Sequence, residues 1–295
     1  MSWQYIDTHA HLNLSAFATD VDSVAKRCSD EQVAVINIGT KLRTSARAVE
    51  LATQYDHCYA MVGLHPIQTT PGHHDEDEIG EGGQPFTSKG ETFDTESFRS
   101  LAVSSPKVVG IGECGFDYYH TGPETYEAQE AAFVAQITLA NELGLPLMIH
   151  TREPKPGEPS PTGRSAYDDV YELLKQHATV PGNIHFFAGS YEQASKFIEL
   201  GFTVSFTGVI TFARVYEDVV RRLPLEHMHA ETDCPYVAPV PYRGKRAEPW
   251  QVIEVVRKIA ALKNLSVDAV AAQLRQNAQR LYGLDHIAKT EFGVV

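Results

Sequence analysis

Val108–Val109–Gly110–Ile111–Gly112–Glu113, a helical stretch over 125–143, and Leu147–Met148–Ile149–His150 together decide the fold. The first run is apolar or glycine up to its final acid, the pattern of a short strand buried on both faces. The middle stretch carries Tyr126, Phe133, Ile137, Ala140 and Leu143 on one helical face and stops at Gly144, a residue suited to a left-handed helix cap. The last run is again short and apolar and ends in a histidine. Strand, helix, strand is a β–α–β unit.

Working outward, the same alternation covers the chain. Towards the N-terminus lie strands over 5–12, 33–39 and 58–63, with helical spacing over 20–28, 42–55 and 98–103. Towards the C-terminus, helices over 167–177, 191–200 and 216–223 alternate with strands over 183–187, 203–206 and 228–231. Helices over 249–262 and 267–282 follow, the latter with Ser266 as N-cap. Eight strands alternating with helices predict an α/β fold, a (β/α)8 TIM-type barrel forming a single domain over 1–295. A doubly wound open sheet is the alternative.

Two segments break the pattern. Residues 68–97 turn to Gly, Pro, Thr and acids, including His73–His74–Asp75–Glu76–Asp77–Glu78, and read as an inserted surface loop, its charged run solvated or able to trap a stray cation. Residues 153–165 hold Pro154, Pro156, Pro159 and Pro161 and read as a second insertion, placed over the strand ends.

Composition narrows the function. A net charge of −13 and a pI near 5.4 argue against a broad basic surface for non-specific duplex binding. Cys28, Cys58, Cys114 and Cys234 have no Cys-x-x-Cys spacing, which suits a reduced, cytoplasmic protein. No basic segment leads into an apolar one at the N-terminus, and no apolar run approaches ~18 residues, so neither a signal peptide nor a membrane span is expected. A monomer or weak oligomer is anticipated.

The chemistry sits at strand ends. His9 and His11, one residue apart in a strand, point to the same side about 6–7 Å apart along the chain, a spacing open to a metal site or to an ordinary histidine pair. Glu113, His150, His185 and Asp233 each follow a strand-like run, as does His65 in Gly63–Leu64–His65–Pro66. In a barrel all of these converge on the mouth, where active sites lie. They are too many for one tetrahedral ion and suit two divalent ions, Mg²⁺, Mn²⁺ or Zn²⁺, sharing a carboxylate. Two ions about 3.5–4 Å apart can activate a water and clamp a phosphodiester, so the pattern points to a metal-assisted hydrolase.

The motifs Asp7–Thr8–His9–Ala10–His11–Leu12, Gly110–Ile111–Gly112–Glu113–Cys114–Gly115–Phe116–Asp117–Tyr118, Ile149–His150–Thr151–Arg152, His185–Phe186–Phe187–Ala188–Gly189, Glu231–Thr232–Asp233–Cys234–Pro235–Tyr236 and Pro241–Tyr242–Arg243–Gly244–Lys245–Arg246 run in order along the chain. On these, and on Gly63–Pro66, the sequence resembles the TatD-type metal-dependent deoxyribonucleases of the amidohydrolase superfamily. The resemblance implies that His9, His11 and Asp233 hold one ion, His150 and His185 a second, and that Glu113 bridges both. It implies a metal-bridging hydroxide acting on DNA, most readily single-stranded ends, as a 3′–5′ exonuclease or phosphodiesterase. Asp233, Glu113 and His65 would be the catalytic residues. The other readings are a hydrolase or deacylase acting on an ester or amide, such as mischarged aminoacyl-tRNA, and a metal-binding interaction protein without catalysis.

Departures from the family pattern bear on the substrate: Phe186–Phe187–Ala188 replaces small polar residues, and both insertions are long. Loops over a barrel mouth shape what enters. His65 could contact the scissile phosphate or only cap its strand. Asp117 and Arg152 could support the ligands and substrate or be surface charges, and Arg243, Lys245 and Arg246 could grip phosphates or form a solvated run. Cys114 and Cys234 turn away from the mouth by strand alternation, and Asn277 fits a capping or packing role.

Overall fold

The computed structural model describes residues 3–74 and 86–284. Its strands are β1 Tyr5–Ala10, β2 Val33–Ile38, β3 Cys58–Val62, β4 Pro71–His74, β5 Phe86–Lys89, β6 Val108–Asp117, β7 Leu147–Arg152, β8 Gly182–Ile184, β9 Thr203–Phe206 and β10 Met228–Ala230. Eight of them form one sheet in the order β1-β2-β3-β6-β7-β8-β9-β10, every pair parallel. The ends of the sheet meet: the Asp233 N–H donates to His9 O at 2.9 Å and the His11 N–H to Cys234 O at 3.0 Å. The result is the (β/α)8 barrel expected from the alternation, not an open sheet.

Burial explains the sequence pattern. In Val33–Ile38 every residue is buried, because one face meets the helices and the other fills the barrel. Val33 and Val35 join the outer core, while Ala34, Ile36 and Ile38 point inward with Met61, Val109 and Met148. Tyr282, from the last helix Val267–Tyr282, and Leu284, just past its Gly283 cap, pack into this inner cluster, with Trp3 against it. Apolar side chains therefore fill part of the barrel, and the buried ionisable residues gather elsewhere.

The helix caps follow their residues. Helix Tyr126–Leu143 ends at Gly144 in the left-handed region, and Ser266 accepts the Ala269 N–H to start the last helix.

Two sequence expectations need correction. The strand ending in Glu113 does not stop there but runs on to Asp117, with a register shift against β7 between Ile111 and Cys114. Gly112, at φ +146°, makes the irregularity possible, since a Cβ there would lie 2.5 Å from Met148 O. The segment near 68–97 is also more than a loop: β4 and β5 pair as an antiparallel hairpin, Phe93 is buried and stacks on Phe98, and Asp94 caps helix Thr95–Ala102. Pro71–Gly72–His73–His74 and Phe86–Thr87–Ser88–Lys89 lack the alternation that signals strands, so periodicity missed them. The acids at 75–78 lie outside the described residues. Residues 153–165 contain no helix or strand, and Arg164 and Thr162 tether their end to Asp169.

Candidate active site

β1 carries His9, with His11 just beyond its end, and their Nε2 atoms lie 3.1 Å apart. Asp233, after β10, places Oδ1 3.3 Å from His11 Nε2 and 3.6 Å from His9 Nε2. Glu113 at the irregularity of β6 turns each carboxylate oxygen to a different group. Its Oε2 lies 3.4 Å from His9 Nε2 and 3.9 Å from His11 Nε2. Its Oε1 lies 2.7 Å from His150 Nδ1, 2.7 Å from His185 Nε2 and 3.4 Å from His65 Nε2. The structure thus gathers His9, His11, His65, Glu113, His150, His185 and Asp233 into one cluster.

The cluster is almost wholly buried, which sets its electrostatics. Burial alone would raise the Glu113 carboxyl, but His185, His65 and His9 outweigh it and hold it well below the usual range. Asp233 follows the same logic: burial opposes ionisation, and His11, His9 and His185 bring it below its ordinary value. Burial lowers His9, and it lowers His65 to about 4, so His65 is neutral. His65 Nδ1 accepts the Ile67 N–H at 3.1 Å and caps the turn Pro66–Gln68. Its proton therefore sits on Nε2, aimed at the cluster as a donor.

The remaining imidazole nitrogens are oriented by their surroundings. His11 Nδ1 lies 2.9 Å from Ile38 O, and His150 Nε2 lies 3.0 Å from Asp117 Oδ2. Asp117 also takes His120 Nδ1 at 2.8 Å; burial opposes its ionisation, yet His120 and His150 hold its carboxyl well below the usual range. His185 Nδ1 lies 3.4 Å from Glu231 Oε1, while Glu231 Oε2 and His9 Nδ1 are buried with no hydrogen-bond partner among the described residues. Acceptors that fix a second ring nitrogen are the usual companions of metal-binding histidines.

The donor set fits divalent cations. Among the described residues the ion pairs of Glu113 and Asp233 are all with histidines, and His9–His11–Asp233 and Glu113–His150–His185 each bring their ligand atoms within 4.8 Å of one another. Nitrogen lone pairs and carboxylate oxygens crowded this closely suit Zn²⁺ or Mn²⁺, and Mg²⁺ with added waters.

Sequence reasoning missed two residues that build this centre. Asp7, fully buried, accepts the His9 N–H at 3.2 Å, the Thr232 N–H at 2.9 Å and the Thr232 hydroxyl at 2.6 Å, stitching β1 to the segment carrying Asp233. Burial raises its carboxyl well above the usual range in spite of these bonds. Glu231 accepts the Phe186 N–H at 2.6 Å and faces His185. The available signal was an acid inside a strand that is otherwise buried.

The basic residues divide. Arg152 lines a cleft of about 250 Å³ that also includes His150 and His185, and its guanidinium lies 4.9 Å from the centre of the Tyr119 ring. Arg243 is exposed and stacks over Phe212 at 3.9 Å. Lys245 lines a separate cleft with Arg27 and Trp250 that contains none of the clustered residues. Arg246 is paired with Asp20 at 2.6 Å and with Glu248 at 3.3 Å. Cys114 and Cys234 are buried among the outer core, and Asn277 donates to Leu225 O and Met228 O, tying the last helix to β10. Among the described residues no helix is long and apolar enough to cross a membrane.

Comparison with known proteins gives the family. The family model described as TatD related DNase matches residues 6–283. The Bacillus subtilis uncharacterized metal-dependent hydrolase YabD is 34% identical over 284 residues, covering 95% of this chain and 99% of that protein. The Klebsiella pneumoniae 3′-5′ ssDNA/RNA exonuclease TatD is 29% identical, covering 95% and 98%. The crystal structure of YjjV, a TatD homolog from Escherichia coli K12, superposes with a TM-score of 0.79 at 27% identity, covering 96% of this chain and 99% of that one. A full-length family match and a shared barrel place this chain in the TatD-related DNase family of metal-dependent hydrolases.

Proposed function

We propose that this protein is a two-metal phosphodiesterase that removes nucleotides from the 3′ end of single-stranded DNA, acting in the cytoplasm as a monomer or weak oligomer. The observation that carries the two-metal reading is the division of Glu113, with one oxygen toward His9 and His11 and the other toward His150 and His185. His9, His11 and Asp233 would hold one ion, His150 and His185 the other, and Glu113 both. When bound, such ions supply Lewis acidity to a water and to the phosphate oxygens.

The chain's own residues do the rest. Asp233, kept ionised by its histidine neighbours, is the proton acceptor for the attacking water. His65, neutral with its proton on Nε2, donates to a non-bridging phosphate oxygen, and Arg152 at the edge of the cleft takes a neighbouring phosphate. Arg243, exposed on the segment after β10, is free to take a further phosphate. The net charge of −13 confines any favourable field for DNA to such local groups.

The test is metal-stripped protein reconstituted with Mg²⁺, Mn²⁺ or Zn²⁺ and offered 5′-labelled single-stranded DNA, alongside RNA, duplex DNA and an ester panel that includes aminoacyl-tRNA. A product ladder shortening from the 3′ end supports the proposal. Turnover confined to esters would replace it with a deacylase, and no turnover with metal bound would leave a metal-binding protein.

A further inference from the structure

We infer that the cleft beside His150 and His185 is a nucleobase subsite, with Phe186 and Tyr119 as its stacking walls and Arg152 as the anchor for the attached phosphate. The inference deepens the phosphodiesterase proposal and rests on it for the identity of the substrate. The cleft holds about 250 Å³, less than the roughly 300–1,000 Å³ typical of drug-sized ligands and suited to one planar ring system. Its aromatic lining is Tyr119, Tyr167, Phe186 and Tyr216, from four separate loops and elements around His150 and His185. Flat aromatic walls joined to cations match a flat π-system tethered to an anion, the description of a nucleotide.

Phe186 is held in place. Its backbone lies in the left-handed region at φ +45°, a conformation large side chains seldom adopt. Its N–H donates to Glu231 Oε1 at 2.6 Å, the carboxylate oxygen that also faces His185 Nδ1. The ring stands edge-on to His185, centroids 6.2 Å apart at 78°, and is only partly buried. The next residue, Phe187, instead packs into the core against Tyr167. Two adjacent phenylalanines thus take opposite tasks: Phe187 fills the interior, and Phe186 presents a ring to the cleft next to a candidate metal ligand. Tyr119, which also lines the cleft, carries Arg152 at 4.9 Å and Lys155 at 5.3 Å from its ring centre, which gives that wall positive charge.

The subsite makes the terminal base matter to turnover. Stacking of one base on an aromatic ring is worth roughly five- to hundredfold. Metal-loaded enzyme should therefore cleave an oligonucleotide ending in an intact 3′ nucleotide at least about tenfold more efficiently, by kcat/KM, than the same strand ending in an abasic nucleotide. Phe186→Ala should bring that ratio close to one and Phe186→Tyr should restore it; because the ratio is internal to each variant, a general loss of activity does not move it. An unchanged ratio in Phe186→Ala, or a wild-type ratio near one, overturns the subsite. A second readout separates this from the reaction itself: quenching of 2-aminopurine deoxynucleoside 5′-monophosphate on binding. If no oligonucleotide is cleaved but wild-type protein quenches the probe and Phe186→Ala does not, the subsite stands and the exonuclease proposal falls. If the probe is not quenched by wild-type protein, the subsite falls whatever the enzyme cleaves.

Discussion

The two halves of the histidine–carboxylate cluster are built differently. His9, His11 and Asp233 come from the ends of the first and last strands and the residues just beyond them and are almost sealed, and the His11 ring is oriented by a backbone carbonyl, Ile38 O. His150 and His185 come from the middle of the barrel, border an open cleft, and face side-chain carboxylates, Asp117 and Glu231. The first half is fixed by closure of the ring of strands, whereas the second rests on side-chain acids beside an open cleft, Asp117 and Glu231, which also accept the backbone N–H groups of Tyr119, His120 and Phe186. Substitutions should therefore act on the first half mainly through architecture and on the second mainly through metal affinity and substrate.

Glu113→Gln should break the comparison most severely, since a neutral amide cannot serve both halves: hydrolysis is abolished and the loading of both ions is weakened. Elemental analysis of the purified variant checks this, and two firmly held ions with normal turnover would mean that the halves are not joined through Glu113. Asp233→Asn keeps an oxygen at the first half but removes its basicity, so kcat should fall by at least ~10² while KM changes little. A loss of less than tenfold with both ions present would confine Asp233 to a ligand's part. Asp117→Asn touches the second half alone. Removing the acid behind His150 should weaken one ion of the pair by about 10–100-fold and spare the other, read as two separated steps in a calorimetric metal titration.

The smallest effect belongs below both halves. His229 is fully buried, with Nε2 3.0 Å from the Thr203 hydroxyl, and burial, reinforced by Arg280, pulls its pKa from 6.5 to about 3. The unfolded chain thus takes up a proton near pH 6.5 that the native protein refuses. Stability from this group is complete above that pH and declines as pH falls toward 3. His229→Gln should flatten that part of the Tm-against-pH curve in metal-free protein, and an unchanged slope would show that other groups dominate it.

The barrel and the clustered ligands were readable because parallel strands leave continuous apolar runs, and side chains at the ends of those runs must converge. Glu113 was found although its strand was drawn too short, since the local register shift depends on Gly112 and the backbone of β7, which no pattern along one strand reveals. The pairing of Arg246 was not legible because its partner Asp20 lies 226 residues away in sequence. The hairpin was missed because its residues lack a strand's alternation. Asp7 lay inside the leading motif yet drew no role, since what makes it matter is Thr232, on the segment after β10, adjacent only after the barrel closes.

That seam gives the protein an order of assembly. Asp7 and Thr232 are joined across 225 residues, and the His9–Asp233 pairing spans nearly the same length. On a ribosome, a chain emerging from its N-terminus exposes His9 and His11 first and must wait until β10 has been synthesised before Asp233 can reach them. His150 and His185, on neighbouring strands, can meet Glu113 long before that. If the centre holds two ions as proposed, a cation captured early would be held by the central strands, and full loading would report that the last strand has docked, making metal stoichiometry a clock for the completion of folding.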